Sequence, residues 1–124
     1  MLFEMSDSGD KTMLEMTKET VGAAYEALKT AVLTAYEAGE AAIMAKNALE
    51  AMRLSMMMTG EIDGKNEAQR EARARQLLEE KYDAVEFYEA GARRAKIALE
   101  VARLDVEMVR AQLRLAELVE ASAA

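Results

Sequence analysis

The chain has 124 residues, of which 52% are hydrophobic, 31% charged and only 5% aromatic, and its formal net charge is −7. It has no His, Cys, Pro or Trp, which excludes thiol catalysis, disulfides, imidazole bases and the usual zinc sites. So apolar a chain is not a disordered tail, and six Gly without Pro do not make a turn-rich β-sandwich or barrel.

Residues 1–9 (MLFEMSDSG) lack helical periodicity and read as a flexible N-terminal segment. Residues 10–124 read as one all-α domain, a long antiparallel helical hairpin. Its first helix is predicted over 10–58, where Ala, Leu, Met, Glu and Lys dominate and nothing interrupts. Thr59-Gly60 is the stop, since glycine adopts the left-handed conformation that closes a helix. The loop covers 59–65. Asn66-Glu67-Ala68-Gln69 then has the form of a capping box and opens a second helix over 66–119. Each helix is about 75–80 Å long at 1.5 Å per residue.

Both helices carry a seven-residue repeat. Leu14, Val21, Leu28, Ala35, Ala42, Leu49 and Met56 form one series in the first. Thr17, Ala24, Ala31, Ala38, Ala45 and Met52 follow three residues behind. The second has Leu78, Val85, Ala92, Leu99, Val106 and Leu113, with Tyr88, Ala95, Ala102, Val109 and Ala116. This is the seam of a coiled coil, rich in alanine so that the helices approach closely.

The second helix also carries Ile97, Val101, Leu104, Met108, Ala111, Leu115 and Leu118 on roughly the opposite face. One partner helix covers only one face, so this stripe predicts a homo-oligomeric bundle, with Tyr25, Tyr36, Ile43 and Leu54 as a weaker lateral set.

Several groups invite a chemical reading. The loop Gly60–Asn66 fails as a phosphate loop, with three residues between its glycines and Asn66 where Ser or Thr should hold magnesium. It fails as a calcium loop because Arg70 falls where a bidentate Glu is needed. Glu79, Glu80 and Asp83 have the E-E-x-x-D form, with Glu86 and Glu89 beyond and Glu37 and Glu40 near them in the hairpin. All-α nucleotide pyrophosphohydrolases hold magnesium with a similar pattern, but there the two halves lie on neighbouring helices. Charged residues off the seam are usually a solvated face, so no metal and no cofactor is expected here.

Gly39 and Gly91 lie inside helices, where glycine costs about 1 kcal/mol against alanine. Either each makes room for a facing aromatic, or Tyr36, Phe87, Tyr88, Arg93 and Arg94 bound a pocket for a nucleotide. Ten Met are many for this length, and Met57, Met58, Ile62 and Lys65 at the tip are the expected contact for a protein partner. The clusters Arg70, Arg73, Arg75 and Arg93, Arg94, Lys96 are interleaved with acids, so direct nucleic-acid binding is not expected. No uncharged apolar run of about 18 residues suggests a membrane span. No basic stretch precedes an apolar one as in a secretory signal, so a cytoplasmic location is expected.

The pattern G-x-I-x-G-K-N-x-x-x-R, from Gly60 to Arg70, with the Ala/Leu/Glu/Arg-rich helix after it, resembles small helical-hairpin proteins of phage and prophage genomes over about residues 59–118. Those proteins mostly lack an assigned activity, so the resemblance transfers no site residue. It implies a viral accessory protein in the bacterial cytoplasm, inhibiting host defences or serving phage DNA metabolism. The combined expectation is a non-enzymatic, oligomeric interaction protein that engages a host or phage protein through acidic helix faces and the loop tip. The alternatives are a nucleotide-sequestering binder and a magnesium-dependent pyrophosphohydrolase.

Overall fold

The computed structural model describes the backbone of residues 13–123, and the side chains of Glu15 and of Lys18 onward up to Ala123. The expectations for residues 1–9, for the start of the first helix, and for Leu14 and Thr17 fall outside that description. Three helices make up the described residues, with no strand among them: α1 (Met13–Met58), α2 (Glu67–Leu77) and α3 (Glu79–Ala123). The long helices α1 and α3 pack together, as a hairpin requires.

The chain divides into two compact units. One spans Leu33–Ile97 and includes the loop. The other joins the described residues up to Val32 with those from Ala98 onward.

In the loop unit, Leu49, Ile62, Ala74 and Leu78 form a buried cluster, with Met56, Tyr82 and Val85 packed against it. The turn that brings them together is built by local chemistry. The Glu61 and Ile62 amides both donate to the Met56 carbonyl, at 2.9 and 3.2 Å, while Gly60 sits at φ 82. That conformation is open to glycine and strained for other residues. Gly64 has φ 154, and a Cβ there would lie 2.8 Å from the Gln69 Cβ and 3.0 Å from the Arg70 amide nitrogen. Asn66 caps α2 as expected, its Oδ1 accepting from the Gln69 amide at 2.9 Å. The reciprocal bond is displaced by one residue, since Gln69 Oε1 accepts from the Lys65 amide at 2.8 Å rather than from that of Asn66.

The helix expected over 66–119 is instead broken at Leu78, and its second part continues to Ala123. Leu78 has φ −117 and ψ 30, yet the hydrogen bonds continue through it. Its amide donates to Ala74 at 2.8 Å and its carbonyl accepts from Tyr82 at 3.0 Å. The sequence has no Gly or Pro there, the usual local causes of a kink. The physical reason is tertiary: Ala74 and Leu78 both turn into the cluster. The break also creates a new helix start, where Glu79 and Glu80 complement the positive end of the α3 dipole.

In the other unit, the buried residues are Ala102, Val106 and Val109, with the side chains of Val21, Ala24, Leu28 and Ala31 half-buried on α1. The described seam positions on both helices are buried or half-buried, with two exceptions. Met52 and Tyr88 are 41% and 43% exposed, so the seam does not close over either.

Candidate functional site

The expected contact at the loop tip is only partly a surface. Met57, Met58 and Lys65 are exposed. Ile62 is not; it is 5% exposed and packs into the core cluster, which corrects its assignment as a partner contact. The cause is the pair of amides bonded to the Met56 carbonyl, which turns the loop back over the end of α1. Every specific position of the loop pattern except Lys65 has a structural task. Gly60 and Gly64 carry positive φ, Ile62 is core, Asn66 caps, and the Arg70 guanidinium donates to the Gly64 carbonyl at 3.2 Å.

Beneath the tip lies a polar group that sequence patterning missed. Arg53 of α1 bonds Glu71 of α2 at 2.8 Å, and the Tyr82 hydroxyl of α3 donates to the same carboxylate at 3.2 Å. The Arg75 guanidinium lies 4.6 Å from the centre of the Tyr82 ring, a cation–π contact. Burial pushes the Tyr82 phenol above its usual range, the Glu71 charge adds to that, and the Arg53 and Arg75 charges oppose it. These groups satisfy one another and tie three helices together.

The residues proposed as a nucleotide pocket are all exposed. Phe87 and Tyr88 meet edge to face, with centroids 5.2 Å apart and planes at 85°. Tyr36 and Phe87 are 67% and 66% exposed, and Arg93 and Arg94 also face solvent. The steric account of the glycines is corrected as well. A Cβ on Gly39 would meet nothing within 4 Å, and one on Gly91 would meet only the tip of Arg94 at 3.9 Å. No ring presses on either position.

Among the carboxylates, Glu37, Glu40, Glu79, Glu80, Asp83 and Glu86 are exposed and Glu89 is half-buried. No three such groups among the described residues come together as a metal site would require. The first basic cluster is absorbed locally, with Arg70 on the Gly64 carbonyl, Arg73 on Gln76 at 3.2 Å and Arg75 over Tyr82.

An exposed apolar stripe also runs along α3. Ile97, in the loop unit, is 65% exposed. In the other unit Val101, Leu104, Met108, Leu115 and Leu118 are each more than half exposed, and Ala111 between them is exposed too. All belong to the one continuous helix α3. An open concavity is lined by Glu107, Arg110, Ala111, Leu113, Arg114 and Glu117. No helix of the described residues is long and apolar enough to cross a membrane. No family model, curated protein or solved structure matches the chain.

Proposed function

We propose that this chain is a non-enzymatic interaction protein that assembles with copies of itself through the exposed face of α3. The exposed stripe from Ile97 to Leu118 carries this reading. Fully burying a large aliphatic side chain is worth about 1.5–3 kcal/mol. These residues start already partly sheltered. Even half that value, summed along the stripe of both copies, offsets an association cost of roughly 4–15 kcal/mol.

Assembly leaves the acidic helix faces, Met57, Met58 and Lys65 at the surface. A net charge of −7 suits a basic protein partner, such as one whose own ligand is nucleic acid. We read such a role, on the resemblance of the loop pattern, as that of a phage accessory protein in a bacterial host. Binding of this kind weakens as salt screens the charges.

Light scattering over a dilution series tests the self-assembly. The expected result is a mass above that of one chain, falling on dilution, and reduced to one chain by Leu104→Glu with helix content retained. A single-chain mass for the unaltered protein at every concentration overturns the reading.

A further inference from the structure

The stripe within the unit that begins at Ala98 has a finer pattern. Val101, Leu104, Met108, Ala111, Leu115 and Leu118 follow at alternating intervals of three and four residues, the spacing of a second coiled-coil seam. The residue ahead of Val101, Met108 and Leu115 is Glu100, Glu107 and Arg114 in turn. The residue after Leu104, Ala111 and Leu118 is Asp105, Gln112 and Val119. These two rows flank whatever covers the seam.

Resting on the self-assembly reading, we infer that the occupant of this seam is the same seam of a second copy. The two run antiparallel, with Met108 of each chain seated on Ala111 of the other and Glu107 of each paired with Arg114 of the other. The layers are then Val101 on Leu118, Leu104 on Leu115 and Met108 on Ala111, each occurring twice about a two-fold axis. All are apolar, and the smallest side chain meets one of the most adaptable.

Two observations select this arrangement. The first is charge. In a parallel, in-register pair the flanking rows bring Glu100 beside Asp105, Glu107 beside Gln112 and Arg114 beside Val119, each twice, so there are two repulsions and no attraction. Sliding the antiparallel pair by one heptad sets Glu107 against Glu107 in one direction and Arg114 against Arg114 in the other. The slide that pairs Glu107 with Glu107 also sets Glu100 of each chain against Arg114 of the other, whereas the register centred between Met108 and Ala111 gives two opposite-charge pairs and no like-charge pair at these positions. Single surface pairs contribute little, but like charges in every competing register make the choice one of specificity.

The second is vacancy of partners. Glu100 is engaged by Arg103 within α3, whereas Glu107 and Arg114 form no ion pair among the described residues.

The chain has no Cys, so an introduced thiol is the only one present. Val101→Cys and Leu118→Cys, each in the full chain, are treated with a short bis-maleimide separately and after mixing. The expected result is covalent dimer from the mixture and little from either variant alone. Dimer from each variant alone shows parallel pairing and overturns the inference. So does a failure of the mixture to link while light scattering still reports dimer; self-assembly then stands and its geometry is wrong. A single-chain mass overturns both.

A charge exchange gives an independent readout without touching the apolar layers. Glu107→Arg should weaken dimerisation by about tenfold, roughly 1.4 kcal/mol, and Glu107→Arg with Arg114→Glu should restore it. An unchanged dimer in the single variant, or no recovery in the double, contradicts the proposed register.

Discussion

The unit around the loop and the unit that pairs the early part of α1 with the late part of α3 use the same residue types to opposite ends. In the loop unit a short α2 adds a third element, so Leu49, Ile62, Ala74 and Leu78 close over one another and Arg53, Glu71 and Tyr82 bind above them. Among the described residues of the other unit two helices meet. Their buried side chains are Ala102, Val106 and Val109, while Val101, Leu104, Met108, Leu115 and Leu118 stay more than half exposed. A hairpin can satisfy itself where its chain turns back and adds a layer. Along its length it has one seam to offer and, here, two to fill. The first region is therefore where the protein holds itself together, and the second is where it has a surface to share.

The sharpest way to break this contrast is to empty the loop cluster. Leu78→Ala or Ile62→Ala should cost about 2–5 kcal/mol, the range for a large aliphatic residue lost from a core, measured by chemical denaturation. A loss near zero for Ile62→Ala would return that residue to the surface role suggested by its loop position. Next in size, Gly64→Ala should destabilise by about 1–3 kcal/mol, because φ 154 and the Gln69 Cβ both oppose a side chain. Gly39→Ala should do the reverse and stabilise by about 0.5–1 kcal/mol, since it lies in a helix with nothing within 4 Å. Asn66→Ala, which removes one cap bond, should cost about 1 kcal/mol.

The smallest effect is a pH dependence confined to the loop unit. The Tyr82 phenol titrates higher in the folded chain than in the unfolded one. Its contribution to stability is therefore complete below the unfolded value of about 10 and is lost as pH rises through the folded value. Tyr82→Phe should remove that part of the alkaline destabilisation, and the difference in phenolate absorbance between the two proteins should appear above pH 10. A difference spectrum centred at or below the usual phenol range would dissociate Tyr82 from Glu71.

Much of this architecture could be read from the residues because helical order is local. The seven-residue series, the Gly60 stop and the Asn66 cap depend on neighbours within one or two turns; the stop and the cap are found, and the described positions of the series are buried or half-buried except Met52 and Tyr88. The break at Leu78 was not legible, since Gln76-Leu77-Leu78-Glu79 carries no breaking residue and the bend follows from what Leu78 packs against. The inward turn of Ile62 was hidden for a related reason. A loop has no period from which a side chain's direction can be taken. The Arg53, Glu71 and Tyr82 group joins residues 18 and 11 positions apart, beyond the reach of spacing rules. The exposed stripe of α3 was legible from its spacing along one helix.

Amide hydrogen exchange at several protein concentrations tests the contrast most directly. Protection around Leu49, Ala74 and Leu78 should stay constant with concentration, because that cluster is complete within one chain. Protection between Val101 and Leu118 should rise as concentration rises, because a second chain covers it. Equal protection in both regions, independent of concentration, would contradict the division of labour proposed for them.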